Sequence, residues 1–116
     1  ELPRGGLEEG ETYLEGATRE LTEETGLTLI EIYDMGEVQP DTGLLKHKIH
    51  LVGCKVNKTE YYRYNHEDVV DNCTNDVRKF DIQTLMEIVA NNEIIDGYTL
   101  SGLTKFLAYK ENNKLN

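Results

Sequence analysis

The 116 residues of this chain suffice for one domain with one hydrophobic core. Apolar residues make up 38% and charged residues 29%, which excludes the composition of a disordered chain, and no apolar run approaches the roughly 20 residues of a membrane helix. The 12 basic and 22 acidic side chains give a formal charge of -10, which excludes a general nucleic-acid binder because such a protein needs a basic surface. This charge is compatible with a nucleotide enzyme, since a bound divalent cation attracts phosphates.

The chain begins with a glycine-rich segment over residues 2–10, called here the glycine loop. Residues 12–25 predict a helix, because apolar side chains recur at spacings of three and four and form one face. The members of that face are Leu14, Ala17 and Leu21. Gly26 ends the helix, in the position where glycine commonly terminates helices.

Two strands are predicted next, over residues 28–33 and 46–56, with a loop over 34–45 between them. The inward side chains of the second strand are predicted to be Ile49, Leu51 and Cys54. Residues 57–75 are polar and irregular, and a segment of this length in a small domain is commonly functional.

The rest of the chain predicts a short strand over 76–80, a helix over 82–91 and a helix over 99–110. Asp81 is placed to cap the first of these helices. The order of loop, helix, strands and helices indicates a mixed α/β fold in which helices pack on a sheet.

Three carboxylates, Glu20, Glu23 and Glu24, share one face of the 12–25 helix because successive residues are about 100° apart. Glu20 and Glu24 are four residues apart, and like charges at that spacing destabilise a bare helix. A hard divalent cation offsets this repulsion, since carboxylate oxygens are the ligands that Mg²⁺ prefers. The alternative is a solvated acidic face. The glycine loop directly before the helix favours a metal site, because its backbone can approach phosphates and metal closely.

Gly5, Glu11 and the run from Arg19 to Leu27 fit the signature G-x5-E-x7-R-E-U-x-E-E-x-G-U at every fixed position, where U is a bulky aliphatic residue. In these residues, 5–27, the chain resembles the Nudix hydrolases, and they are called the box below. The resemblance implies an α/β/α sandwich of mixed sheet and flanking helices, in a single domain over residues 1–116. It also implies hydrolysis of a pyrophosphate bond in a nucleoside diphosphate linked to another group.

The resemblance assigns roles to individual residues. Glu20 and Glu24 bind the catalytic Mg²⁺, with Mn²⁺ as the alternative ion, and Glu23 either ligates the metal or orients the attacking water. The backbone carbonyl of Arg4 is a further metal ligand, and the Arg4 side chain is a candidate phosphate contact. Structural roles fall to Gly5, Glu11, Arg19 and Gly26, with Arg19 pairing with Glu11 or Glu23 so that the loop is held on the helix.

In several branches of the family the general base lies outside the box, and residues 57–75 are the equivalent region here. Glu67 is the first candidate, and the alternatives are Asp68, Asp71 and Glu60. Each of these carboxylates also suits an ordinary surface position. The tyrosines at 61, 62, 64 and 98 suit either stacking on a purine or ordinary packing.

Residues 94–100 resemble the I-x-D-x-x-T start of the last helix in ADP-ribose pyrophosphatases, although Asp96 or Thr99 as helix caps explain it without a substrate. Pro40 fits a proline of those enzymes loosely. The predicted substrates are small nucleotides of the ADP-ribose, Ap3A/Ap4A and FAD class, handled by a bacterial or phage enzyme. The alternatives are an RNA 5′-end or (d)NTP pyrophosphohydrolase and a catalytically inactive nucleotide-binding Nudix domain. Residues 2–6 also resemble the corresponding segment of enzymes that act on dinucleoside polyphosphates and on RNA 5′ ends.

Nudix domains carry strands before the box, whereas here the box begins at residue 5 and the chain starts at Glu1, so N-terminal strands are expected to be missing. We expect this stretch alone to be poorly soluble or inactive, because exposed sheet surface favours association. A homodimer is a further expectation, since ADP-ribose-type enzymes often dimerise. Cys54 and Cys73 form no metal-binding pattern and predict reduced thiols of a cytoplasmic protein, with a disulfide as the alternative.

Overall fold

The computed structural model describes residues 1–44, 48–57 and 77–115. Within them the elements, in chain order, are helix α1 (Tyr13–Thr25), strands β1 (Leu29–Val38) and β2 (Ile49–Val56), and helices α2 (Ile82–Ala90) and α3 (Gly97–Glu111). The two strands pair in an antiparallel sheet. The predicted mixed α/β fold class is therefore confirmed. None of the described helices combines the length and the apolar character that crossing a bilayer requires.

Helix α1 has a local signal at each end. The hydroxyl of Thr12 accepts a hydrogen bond from the Glu15 amide at 3.2 Å and donates one to the Glu15 carboxylate at 3.0 Å, which satisfies an otherwise unpaired amide of the first turn. Gly26 takes a left-handed conformation with φ 71°, and its amide donates to the Thr22 carbonyl. Glycine adopts this conformation without steric cost. The predicted helix over 12–25 and its end at Gly26 are confirmed.

Strand β1 is longer than predicted, because residues 34–38 belong to it and not to a loop. Gly36 sits inside the strand with φ 78°, which a residue without Cβ adopts at little cost. The strand continues through this glycine because pairing with β2 supplies hydrogen bonds on the far side. Strand β2 begins at Ile49, and Lys48 lies outside it.

Helices α2 and α3 begin with the same type of cap. An Asp81 carboxylate oxygen accepts from the Thr84 amide at 2.7 Å, and an Asp96 oxygen accepts from the Thr99 amide at 3.0 Å. The Asp96 cap explains why α3 begins at Gly97, two residues before the predicted start. The strand predicted over 76–80 is wrong for 77–80, which form no regular element; among the described residues the sheet consists of β1 and β2.

The described chain divides into two compact units. The α1 unit comprises residues 3–34, 52–57 and 77, and the α2–α3 unit comprises residues 1–2, 35–44, 48–51 and 78–115. Each unit buries one apolar side chain at 5% exposure, Leu27 in the first and Met35 in the second. Leu14, predicted to face inward, is 38% exposed, because it borders an open groove described below. Ala17 and Leu21 are half-buried, as the apolar face of α1 predicts.

Candidate active site

The glycine loop lies against the carboxylate of Glu20. A methyl group added at Gly5 would overlap that carboxylate, so the loop backbone approaches it more closely than any other residue type permits. At Gly6, by contrast, an added methyl meets no described atom within 4 Å. The close approach therefore requires glycine at position 5 and not at position 6.

Arg19 joins the loop to α1. Its Nε donates to Glu11 Oε2 at 2.9 Å and its Nη2 donates to Glu11 Oε1 at 3.0 Å, which makes a two-bond pair. Nη2 also donates to the carbonyl oxygen of Gly6 at 2.8 Å. Planar guanidinium groups match carboxylates in this geometry, and such pairs are stronger and more directional than single ion pairs. The side chain therefore ties the first half of the box to the helix.

The remaining nitrogen of the same guanidinium brings two further carboxylates together. Nη1 of Arg19 donates to Glu20 Oε1 at 2.9 Å and to Glu23 Oε2 at 3.2 Å. The Glu20 side chain is 18% exposed and that of Glu23 is 58% exposed. Glu20 is thus held between the loop and Arg19, whereas Glu23 is the carboxylate of this pair that solvent reaches.

The charges of this cluster depend on one another. Hydrogen bonding from Arg19 lowers the pKa of Glu11 from its ordinary 4.5 to about 2, with a further contribution from the Glu8 backbone. The carboxylate of Glu11 in turn raises the pKa of Arg19. Glu8 adds a longer contact, with 3.6 Å between its Oε1 and the Nε of Arg19. Carboxylates therefore surround one cation that stays charged at any physiological pH.

Glu24, the other predicted ligand, lies in the last turn of α1, four residues after Glu20, and is half-buried. In residues 1–44, 48–57 and 77–115, no three side chains of His, Cys, Asp or Glu converge closely enough to hold a metal ion by themselves. Of the carboxylates predicted for the metal site, Glu20 and Glu23 both accept from one nitrogen of Arg19. Mg²⁺ commonly binds through one or two carboxylates, while water and substrate phosphates supply its other ligands.

An open groove of about 610 Å³ runs along the other flank of α1. Leu14, Thr18 and Thr22 line it from the helix, and Ile32 lines it from β1. Arg19 and Glu23 stand at the border between this groove and the carboxylate cluster. The groove is largely apolar, so it offers contacts of a different kind from those of the charged cluster.

Several residues predicted for the site lie outside the described residues. These are Glu67, Asp68, Asp71 and Glu60, the tyrosines at 61, 62 and 64, and the cysteine at 73. Arg4 is described and lies exposed in the loop directly before Gly5. Tyr98 lies in the first turn of α3, within the α2–α3 unit. Cys54 is a half-buried thiol in the described part of the chain, and burial raises its pKa.

The sequence pattern did not indicate two features of the cluster. Glu8 belongs to the surroundings of Arg19, and the Gly6 carbonyl accepts one of its hydrogen bonds. Glu8 and Glu9 both follow the first loop glycines, so the sequence did not indicate which of these two carboxylates contacts Arg19. A backbone carbonyl leaves no trace in a sequence, so the Gly6 contact required the structure.

Comparison with family models matches the NUDIX domain over residues 1–98, which is most of the chain. No curated protein and no solved structure matches it in the corresponding searches. Members of the family are pyrophosphohydrolases that generally use divalent cations such as Mg²⁺. The chain therefore belongs to the Nudix family and is a Nudix pyrophosphohydrolase.

Proposed function

We propose that this protein is a Mg²⁺-dependent hydrolase of the pyrophosphate bond in a nucleoside diphosphate linked to another group, the class that includes ADP-ribose, Ap3A, Ap4A and FAD. The observation that carries the proposal is the convergence of Glu20 and Glu23 on one nitrogen of Arg19, beside the close approach of Gly5. A shielded carboxylate at Glu20, an exposed carboxylate at Glu23 and an accessible backbone at one place suit a cation that also binds phosphate.

The residues around this point have distinct roles in the proposal. Glu20 and Glu24 would hold the cation together with the backbone carbonyl of Arg4. When bound, the cation would neutralise the phosphate oxygens and lower the pKa of a water ligand. Glu23 is 58% exposed and is therefore placed to orient the attacking water or to take up its proton. Glu67 is the candidate base from outside the box.

Arg19 acts on the carboxylates and not on the substrate. All three of its nitrogens are engaged, in contacts with Glu11, Gly6, Glu20 and Glu23. Its positive charge offsets the repulsion among the carboxylates, which keeps them together before a cation arrives. The side chain therefore serves to keep the site assembled.

The choice of substrate class rests on the charge of the chain and not on the segment that begins α3. Asp96 and Thr99 cap α3, which accounts for the I-x-D-x-x-T segment without a substrate contact. The formal charge of -10 supports a small nucleotide over a long nucleic acid. ADP-ribose and dinucleoside polyphosphates are therefore the first compounds to test, ahead of RNA 5′ ends and (d)NTPs.

The test is hydrolysis by the purified protein with Mg²⁺, or with Mn²⁺, followed by chromatography of the products. The panel comprises ADP-ribose, Ap3A, Ap4A, FAD, NADH, (d)NTPs and a 5′-triphosphate RNA. The decisive variant is Glu24→Gln, which keeps the shape of a proposed ligand but removes its charge. Its matched control is Glu87→Gln, the same change at an exposed position of α2 in the other unit.

We expect release of AMP from ADP-ribose or from a dinucleoside polyphosphate. EDTA should abolish it, Glu24→Gln should reduce it by at least about a hundredfold, and Glu87→Gln should leave it unchanged. Cleavage of RNA ends or (d)NTPs alone would overturn the substrate class and leave the reaction standing. A folded protein that binds nucleotide but hydrolyses nothing on the panel would contradict the enzyme and point to a binding domain.

A further inference from the structure

The first residues of the chain are attached to the start of α3. The backbone amide of Leu2 donates to the hydroxyl oxygen of Thr99 at 3.3 Å, across 97 positions of sequence. The same hydroxyl donates to Asp96 Oδ2 at 2.7 Å. Thr99 is 4% exposed, so its hydroxyl has both an acceptor and a donor partner in a place with little water. The contact is therefore a specific attachment of Leu2 to the helix.

A second contact acts on the side chain of Leu2. A methyl group added at Gly102, three residues after Thr99, would come within 2.5 Å of Leu2 Cδ1. Gly102 is buried in the middle of α3, where glycine weakens a helix relative to alanine. The missing side chain at position 102 leaves the space that Leu2 fills. Leu2, although 41% exposed, thus contacts α3 through both its backbone and its side chain.

We propose that Thr99 and Gly102 are positioning residues for hydrolysis, because they anchor the chain immediately before the residues that approach the cation. Leu2 is followed by Pro3, Arg4 and Gly5. Proline fixes its own φ and restricts the residue before it to extended conformations, so part of the backbone freedom between the anchored Leu2 and Arg4 is removed. The inference rests on the proposed function, since it assumes that the Arg4 carbonyl and the Gly5 backbone serve the reaction.

Comparison with helix α2 shows that a role in capping does not account for the burial of Thr99. Asp81 and Thr84 repeat the spacing of Asp96 and Thr99, and the Asp81 carboxylate accepts from the Thr84 amide. Thr84 is exposed, whereas Thr99 is buried beneath Leu2. The two threonines thus share one role at a helix start, and Thr99 has the attachment of Leu2 in addition. Thr84 therefore provides a matched control for the loss of a capping hydroxyl.

The experiment compares Thr99→Val, Thr99→Ser and Thr84→Val with the unchanged protein. One measurement is steady-state hydrolysis of the substrate identified in the panel. The other is the backbone order parameter of Gly5 and Gly6 from ¹⁵N NMR relaxation, followed without substrate or cation. Thr99→Val keeps the shape and removes the acceptor for Leu2, whereas Thr99→Ser keeps the hydroxyl.

We expect Thr99→Val to lower kcat by about tenfold with a KM within about twofold, since small displacements of reacting groups reduce turnover strongly. The order parameters of Gly5 and Gly6 should fall below about 0.6, the range of flexible backbone, while those in the middle of α1 stay unchanged. Thr99→Ser should restore both values, and Thr84→Val should change neither. Unchanged order parameters at Gly5 and Gly6 in a folded Thr99→Val protein would overturn the proposal.

A second variant tests the anchor without changing Thr99, so that the test does not depend on whether Thr99→Val folds. Gly102→Ala pushes on the Leu2 side chain and leaves the hydroxyl in place, and Gly97→Ala is its control on the same helix, since a methyl there meets no described atom within 4 Å. Lower order parameters at Gly5 and Gly6 in Gly102→Ala, but not in Gly97→Ala, support the anchor even if the protein hydrolyses nothing on the panel. In that case the proposed function fails and the anchor stands, so the two failures are distinguishable.

Discussion

Arg19 and Glu11 are joined by two parallel hydrogen bonds, from Nε to Oε2 at 2.9 Å and from Nη2 to Oε1 at 3.0 Å. Both side chains are largely shielded, with exposures of 21% and 12%. Glu11 also accepts a hydrogen bond from the Glu8 amide, so the pair reaches into the glycine loop. The carboxylates that follow on α1 are thus arranged around a guanidinium that is already fixed in orientation.

Replacing Arg19 by Lys keeps the positive charge and removes the planar fork. A single ammonium group cannot reproduce both bonds to Glu11 together with those to Gly6, Glu20 and Glu23. We expect a lower thermal unfolding midpoint and a loss of hydrolysis of about tenfold or more, because the carboxylates lose their common partner. Arg78→Lys, at an exposed position in the α2–α3 unit, is the control. Equal melting curves and rates for the two variants would show that the fork is not needed.

Gly5→Ala tests the close approach of the loop to Glu20. The added methyl overlaps the Glu20 carboxylate, so either the loop or this side chain must move. We expect turnover to fall by about a hundredfold, since displacements of about 1 Å have effects of this size. Gly6→Ala is the neighbouring control: its methyl meets no described atom within 4 Å, and the carbonyl that Arg19 binds is kept. Similar rates for both variants would count against a role for this approach.

The difference between local and distant interactions explains which parts of the structure the sequence predicted. Thr12 and Gly26 act on their own helix, so the bounds of α1 could be predicted from neighbouring residues alone. The partners of Arg19 lie within one short motif, and the family resemblance indicated Glu11 and Glu23 among them. The extension of β1 through Gly36 depends on pairing with β2 and had no local signal.

The attachment of Leu2 to Thr99 spans almost the whole chain, which no periodic pattern records. The sequence singled out Asp96 and Thr99 as helix caps or as a sign of a substrate branch. The structure shows the cap, and it also shows the contact with Leu2 that neither interpretation contained. Gly102 in the middle of α3 is a local sign that another group occupies this space, because glycine weakens a helix relative to alanine. The sequence alone does not show that this group is Leu2.

The ion pair of Arg19 and Glu11 predicts a response to acid. The pKa of Glu11 is lowered to about 2, so the folded protein keeps this carboxylate charged at pH values where the unfolded chain has bound a proton. The stability from this pair is therefore fully present above about pH 4.5 and is lost as the pH falls toward 2. Urea unfolding across this range should show a flatter pH dependence for Glu11→Gln than for the unchanged protein.

Asp81 provides an internal reference for the same pH titration of stability. Hydrogen bonds from Thr84 lower the pKa of Asp81 as well, and this group titrates identically in both proteins. The difference between the two curves therefore isolates Glu11. Parallel curves would mean that the pair with Arg19 adds nothing to stability in this pH range.

Gly36→Ala tests the passage of β1 through a left-handed conformation. At φ 78° a Cβ is strained whatever space surrounds it, and the cost for an alanine is roughly 1–2 kcal/mol. The new methyl would also lie 3.6 Å from the Lys105 amine and 3.9 Å from the Tyr109 hydroxyl, which are ordinary contact distances. Backbone strain and not crowding should therefore lower the free energy of unfolding, as measured by urea titration.

Gly97→Ala is the control, at the first position of α3 and without a positive φ. It should be neutral or stabilising, because alanine favours the helix more than glycine does. If both substitutions shifted stability in the same direction by the same amount, the left-handed conformation of Gly36 would not be the cause.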